Sequence, residues 1–221
     1  MTDVDFYFDV MCPWAYQTSL WIREAAQQRD IRLRWKFFSL EEVNREPGKK
    51  HPWERSWSYG WSLLRVATML RRNGEEQVGR FYAVAGAALH EAGRRVQDRA
   101  VLEAVLFEGG FDATVIDASL TDPTVDEEIR ADHQQALDLG GFGVPTLVLD
   151  RTTPLFGPVI VPAPTGPAAG RLWDLVAGWT EYPNLYDLRR PKAPADVTHI
   201  GEMFAPYLEA RDWQTVAHPV P

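Results

Sequence analysis

The first 40 residues carry the pattern that most restricts the fold. Residues 4–10 alternate apolar and polar side chains and are rich in aromatic and β-branched types, which predicts a strand. Helical spacing follows from Pro13 to about Arg29, and strict alternation returns at the start of residues 31–40. We therefore expect a β-α-β unit with two parallel strands, because a crossover helix joins neighbouring strands in parallel.

Residues 41–139 change to a helical pattern, which then gives way to a second β region. Glycine pairs and an Asp-Pro step separate the stretches of helical spacing. The predicted helices span residues 57–72, 76–92, 98–107, 113–120 and 124–139. After them, residues 144–150 predict a strand, residues 155–161 can join it as a hairpin, and a last helix is expected at about 167–180.

This order of elements predicts three segments. Residues 1–40 and 140–190 form the expected α/β core, and residues 41–139 form a helical insertion between its two parts. The tail of residues 191–221 is too rich in proline and polar residues to predict a helix or a strand.

The composition argues against several functional classes. The 221 residues include 31 acidic and 23 basic side chains, and the net charge of -8 does not suit a nucleic-acid partner. No run approaches the roughly 20 apolar residues of a membrane span, so a membrane partner is not expected. Residues 1–10 hold three aspartates and lack the basic and apolar regions of a secretory signal, which favours a cytoplasmic location.

Cys12 is the only cysteine, so an internal disulfide or a cysteine metal cluster cannot form, and we expect no metal. It lies directly between the predicted strand and Pro13, a residue suited to the first helical position. Unpaired N–H groups and the helix dipole favour a thiolate there, lowering its pKa from about 8.5 towards roughly 3.5 to 7.5. We therefore predict a reactive thiol, although an isolated cysteine is more often a small buried hydrophobe.

A family resemblance covers nearly the whole chain. The sequence Phe-Tyr-Phe-Asp-Val-Met-Cys-Pro-Trp-Ala of residues 6–15 resembles the active-site segment of DsbA-like oxidoreductases, and residues 143–146 resemble their loop before the third strand. The resemblance implies an α/β chain with a thioredoxin-like fold and a large all-helical insertion. Residues 156–159, 170–174 and 182–183 are similar to the mycothiol-dependent nitroreductase branch of actinobacteria. This implies a thiol-dependent oxidoreductase.

Ala15 stands where family members that work as dithiols have a second cysteine. An internal disulfide cycle cannot operate, but a single thiolate can still form a mixed disulfide that an external thiol resolves. By resemblance to the nitroreductase branch, this low-molecular-weight thiol is mycothiol, and the substrate is a nitro compound or another small aromatic molecule. The sequence itself shows only that an external reductant is needed.

The resemblance also assigns residues that face the thiol. It implies a cis Val144-Pro145 peptide opposite Cys12, which would expose the Val144 backbone to a substrate or to the peptide-like part of a thiol. Trp14 is expected either to cover the thiol as an apolar wall or to pack in the core. We therefore predict that Pro13, Trp14, Val144 and Pro145 bind the substrate or thiol.

The insertion contributes further candidates near its first loop. Four aromatic side chains stand close together and predict a lid or an apolar substrate wall, although aromatics at helical spacing are more typical of a core. They are Trp53, Trp57, Tyr59 and Trp61. Trp61 is the candidate that we assign to the binding site.

Two histidines and an aspartate complete the set of candidates. His90 and His133 stand where the nitroreductase branch has histidines, and we take His90 as a candidate beside the thiol. Asp9, three residues before Cys12, is expected to cap a turn, with proton transfer as the alternative.

Two other functional classes fit the same pattern. The chain also resembles 2-hydroxychromene-2-carboxylate isomerases and kappa-class glutathione transferases, in which a serine at the position of Cys12 activates a bound thiol. A non-catalytic protein that keeps a binding groove beside Pro145 is the third class. Thiol-dependent turnover separates the first class from the third, and conversion without net reduction would reveal the second. Related enzymes are often dimers, so a homodimer is a further expectation.

Overall fold

The computed structural model describes residues 1–151 and 154–217. The chain begins with strand β1 (Thr2–Phe8), helix α1 (Pro13–Gln28) and strand β2 (Ile31–Phe37). β1 and β2 pair in parallel from Thr2 opposite Ile31 to Phe8 opposite Phe37. The predicted β-α-β unit is therefore confirmed.

The second β region completes a mixed sheet. Strand β3 (Thr146–Leu149) pairs antiparallel with β1, and strand β4 (Pro154–Phe156) pairs antiparallel with β3, so the described strands follow the order β2-β1-β3-β4. The hairpin is confirmed, but β4 is shorter than predicted. It ends before Pro158, which has no N–H group to donate to a ladder. β1 has a neighbouring strand on each side, and residues 9–13, which follow its carboxyl end, are buried.

The segment between β2 and β3 is helical, as predicted. It contains α2 (Leu40–Val43), a 3-10 helix (Pro52–Glu54), α3 (Trp61–Arg71), α4 (Glu75–His90), α5 (Arg99–Glu108), α6 (Val115–Thr121) and α7 (Thr124–Asp138). α3 begins four residues after the predicted start because the buried Glu41 carboxylate binds the loop before it. Glu41 accepts hydrogen bonds from the Ser58 hydroxyl and from the Gly60 and Trp61 amides.

Helices also close the C-terminal part of the described chain. The predicted last helix is confirmed as α8 (Gly166–Gly178), and a 3-10 helix (Trp179–Glu181) follows it. A further helix, α9 (Pro194–Ala217), occupies the segment for which the sequence predicted neither helix nor strand. The proline and polar content of residues 191–221 concealed this helix in the sequence. Among the helices of residues 1–151 and 154–217, none is long and apolar enough to cross a membrane.

Aromatic side chains of the helices contact a neighbouring helix and the end of β1. Trp21 of α1 donates from Nε1 to the Ala169 carbonyl of α8 at 3.0 Å. Tyr82 of α4 stacks on Phe8, the last residue of β1, with ring centroids 4.1 Å apart. The turn that follows Phe8 therefore starts from a rigid point in the core. The division into a core, an insertion and a tail at the predicted boundaries remains a proposal.

Candidate active site

Cys12 lies at the N-cap of α1, and Pro13 is the first helical residue, as predicted. The Cys12 Sγ accepts a hydrogen bond from the Ala15 amide at 3.4 Å. The thiol also donates to the Val144 carbonyl at 3.5 Å. The sulfur therefore links the first turn of α1 to the loop before β3, two segments separated by more than half of the chain.

The loop before β3 is held in place by backbone contacts. Its Val144-Pro145 peptide is cis and lies opposite the thiol, as the resemblance implies. The Thr146 hydroxyl donates to the Gly143 carbonyl at 2.7 Å, and the Gly157 amide donates to the Pro145 carbonyl at 2.9 Å. Since the thiol occupies the Val144 carbonyl in this conformation, pairing of that backbone with a ligand remains a proposal.

Asp9 organises the turn between β1 and Cys12. Its carboxylate accepts from the Met11 amide at 2.9 Å and from the Leu40 amide at 2.7 Å, and its carbonyl accepts from the Cys12 amide at 3.0 Å. Burial raises the pKa of Asp9 to about 6, against the opposing effect of the two amide hydrogen bonds. The predicted capping role is therefore confirmed.

His90 supports the same turn from α4. Its Nε2 lies 2.8 Å from the Val10 carbonyl, and its ring stacks on Tyr16 of α1 with centroids 5.0 Å apart. Because a carbonyl can only accept, Nε2 carries the proton in this contact. Burial lowers the pKa of His90 to about 4, so the ring is neutral at physiological pH. His90 thus contacts the backbone two residues before Cys12.

His133 lies in a different contact. Its Nδ1 accepts from the Ser39 amide at 3.2 Å, and its ring packs on Phe38. Burial also lowers the pKa of His133. This histidine therefore holds the junction of β2 and α2.

The predicted acidity of Cys12 is wrong for this conformation. Its side chain is only 5% exposed, and burial raises the pKa of the thiol to about 12. The negative charge of Asp9 raises this pKa further, while the Ala15 amide lowers it. Loss of hydration therefore outweighs the favourable helix N-terminus, and the sulfur is a protonated thiol at neutral pH.

Trp14 lies beside the thiol in the first turn of α1 and is half-buried. Its ring meets that of Phe204 in α9 edge to face, with the centroids 4.6 Å apart. Sequence reasoning missed Phe204 because it predicted no helix in the tail.

The predicted role of Trp61 in ligand binding requires correction. Trp61 has no exposed surface, and its Nε1 donates to the Asp126 carboxylate at 2.6 Å. A fully enclosed side chain cannot touch a ligand without rearrangement, so Trp61 belongs to the core of the helical segment. Trp53, Trp57 and Tyr59 are half-buried and remain candidates for an apolar wall.

An exposed aromatic pair flanks the Val144-Pro145 loop and was not predicted as part of the site. Phe142 and Phe156 are 69% and 47% exposed, and their rings stack with centroids 4.8 Å apart. Phe142 lies two residues before Val144, and Phe156 pairs with Thr146 in the sheet. Their separation in the sequence concealed the pair. Among the described residues, no group of three His, Cys, Asp or Glu side chains could hold a metal ion.

Together, these features define a DsbA-like thioredoxin-fold protein. A thiol begins the helix after an interior strand, a Val-Pro loop faces the sulfur, and a helical segment lies between β2 and β3. The sequence prediction of fold class is therefore confirmed.

Solved structures share this fold. A 2-hydroxychromene-2-carboxylate isomerase has a TM-score of 0.58 and 18% identity, over 81% of this chain and 95% of that chain. The oxidoreductase DsbA from Xylella fastidiosa has a TM-score of 0.55 and 17% identity, over 81% and 86% of the two chains. The cytosolic disulfide reductase DsbM from Pseudomonas aeruginosa, solved with GSH, has a TM-score of 0.54 and 18% identity, over 81% and 98%.

Sequence comparison identifies the family. The family model described as mycothiol-dependent nitroreductase Rv2466c matches residues 11–190. The uncharacterized protein Rv2286c of Mycobacterium tuberculosis (strain ATCC 25618 / H37Rv) is 51% identical over 216 residues, which cover 98% of this chain and 94% of that protein. The chain belongs to the Rv2466c-like mycothiol-dependent nitroreductase family, which places it among the oxidoreductases.

Proposed function

We propose that this protein is a monothiol oxidoreductase that forms a mixed disulfide at Cys12 with an external low-molecular-weight thiol. The observation that carries the proposal is the position of the only cysteine at the N-cap of α1, facing the Val144-Pro145 loop. Ala15 occupies the dithiol partner position, and its amide contacts the sulfur. Family membership supports mycothiol as the thiol and a small aromatic compound, such as a nitro compound, as the substrate.

The proposed exchange balances without a second protein sulfur. The Cys12 thiolate attacks a disulfide, forms a new S–S bond to one half and releases the other half as a thiolate. A second external thiol then attacks the adduct, regenerates Cys12 and leaves as the symmetric disulfide. When a nitro compound is the oxidant, Cys12 and one external thiol form the mixed disulfide, and the nitro group takes their two electrons and two protons to give a nitroso group and water. A second external thiol then releases Cys12 and leaves as the symmetric disulfide.

We take this conformation as the resting state of the proposed cycle. The thiol donates to Val144, and burial keeps it protonated. Exchange needs the thiolate, so the sulfur must first gain contact with solvent or a bound ligand. Once it does, the Ala15 amide and the start of α1 favour the anion. Asp9 and His90 hold the turn that presents the sulfur.

The burial of Cys12 also favours a second candidate function. A protonated, enclosed thiol suits a non-catalytic binding protein, whose binding surface would be the exposed pair Phe142 and Phe156 beside the Val144-Pro145 loop. The two candidates differ in turnover, because a binding protein consumes no thiol.

Turnover with a chosen thiol tests the proposal. The protein is incubated with mycothiol and a nitroaromatic compound or a model disulfide, and the loss of substrate is followed together with the oxidised thiol formed. We expect turnover that depends on mycothiol and that Cys12→Ser abolishes. Equal rates in the wild type and in Cys12→Ser would refute the proposed role of Cys12. Binding without turnover would favour the second candidate, and conversion without thiol oxidation would favour an isomerase.

A further inference from the structure

The C-terminal helix α9 reaches back to the active-site turn. Phe204 is 8% exposed, and its ring packs edge to face on Trp14, two residues after Cys12. α9 also packs against α4, the helix that carries His90. α9 therefore contacts both α1, which begins at the thiol, and α4, which supports the turn before Cys12.

The residues before α9 and in its first turns have little buried surface. Residues 181–199 are exposed throughout, and they include Tyr186 and Leu188, which are 86% and 76% exposed. Among the described side chains of residues 194–205, Phe204 alone is buried. A segment with few buried apolar contacts opens at a lower free energy than the core. The residues that lead into α9 and its first turns are therefore held less firmly than the core.

The family match does not account for α9. It ends at residue 190, whereas α9 begins at Pro194. The Rv2286c protein aligns with 98% of this chain, so that relative has a counterpart to most of this tail. Phe204 thus lies outside the residues that the family model matches, whereas Trp14 lies within them.

We infer that Phe204 is an access-determining residue of the Cys12 site. Its ring packs on Trp14 and covers the side of Cys12 on which Trp14 lies. Bulky planar reagents therefore reach the sulfur only when α9 has moved away. Small reagents need a lesser opening. The inference rests on Cys12 being the reactive group of the proposed function, but not on the identity of the thiol or the substrate.

Two maleimides of different size test the inference on the full-length protein. The rates of Cys12 modification by N-methylmaleimide and by pyrenylmaleimide are measured at one pH, and their ratio removes the intrinsic reactivity of the thiol. We expect Phe204→Ala to raise the pyrenylmaleimide rate about tenfold, because the variant lacks one ring of the aromatic contact. The N-methylmaleimide rate should change by less than about threefold, since a small reagent needs less opening.

A matched control is Phe107→Ala, which truncates an 81% exposed phenylalanine of α5 and should leave both rates unchanged. Phe204→Leu serves if the alanine variant fails to fold by circular dichroism, because it also removes the ring and should shift the ratio in the same direction. An unchanged ratio, an equal rise in both rates or no reaction in any folded variant would overturn the inference. Maleimide modification needs no turnover, so failure of the proposed function would be seen separately.

Discussion

Two buried groups beside Cys12 titrate in opposite senses, and this predicts a specific pH dependence of stability. Folding lowers the pKa of His90 from 6.5 to about 4 because the ring loses hydration. His90 therefore contributes stability that is complete above pH 6.5 and is lost as the pH falls through 4. At about 1.4 kcal/mol for each pKa unit, the contribution is about 3 kcal/mol.

Asp9 works in the other direction. Burial raises its pKa from 3.8 to about 6, so the folded state is favoured by the protonated carboxyl. Its contribution is complete below pH 3.8 and is lost as the pH rises through 6, again about 3 kcal/mol. Because the two windows overlap, the effects of His90 and Asp9 nearly cancel in the wild-type protein between about pH 4 and 6.5.

Single substitutions should expose each effect. The free energy of unfolding is measured by urea titration with tryptophan fluorescence at several pH values, and each variant is compared with the wild type. The free energy of unfolding of the wild type minus that of His90→Gln should grow by about 3 kcal/mol from pH 4 to 6.5. The corresponding difference between the wild type and Asp9→Asn should shrink by a similar amount from pH 3.8 to 6.

The control is His199→Gln, at an exposed histidine of α9, whose curve should run parallel to that of the wild type. Parallel curves for His90→Gln and Asp9→Asn as well would refute the assignment of a neutral His90 and a buried Asp9 carboxyl in the active-site turn.

Two further predictions concern the site and the core. Ala15→Cys should place a thiol one helical turn after Cys12. An internal disulfide should then appear by mass spectrometry, and the adduct with the external thiol should become shorter-lived. An unchanged adduct lifetime would contradict this prediction. Trp61→Phe removes the hydrogen bond to Asp126 and should lower the free energy of unfolding by about 2 kcal/mol, with adduct formation at Cys12 unchanged. Intact stability with impaired adduct formation would instead return Trp61 to the ligand-binding site.

Local patterns were sufficient to predict the elements that hold Cys12. The alternation in residues 4–10 and 31–40 and the proline after the cysteine led to β1, β2 and α1, because these signals depend on neighbouring residues alone. The start of α3 was misplaced because Glu41, 19 residues before Gly60, accepts hydrogen bonds from the amides of Gly60 and Trp61. Sequence spacing does not reveal such a contact.

The chemistry of the site was harder to predict than its position. The helix start at Cys12 is a local feature, but the pKa of the thiol depends on burial by residues from several elements. The same limit applies to Phe204, which meets Trp14 only because α9 packs against α4 and reaches the first turn of α1. Trp61 was misassigned because an aromatic at helical spacing fits a substrate wall and a core equally well until its burial is known.

The intact mass of the oxidised protein tests the central claim most directly. The wild-type chain is treated with a mild oxidant in the presence of mycothiol, and its mass is compared with that of Cys12→Ser treated in the same way. We predict a gain of one mycothiol residue per chain, localised to Cys12 and reversed by a second portion of the thiol, with no gain in the variant. A wild-type protein that remains unmodified under every oxidant, or a variant that gains the same mass, would contradict the monothiol mechanism.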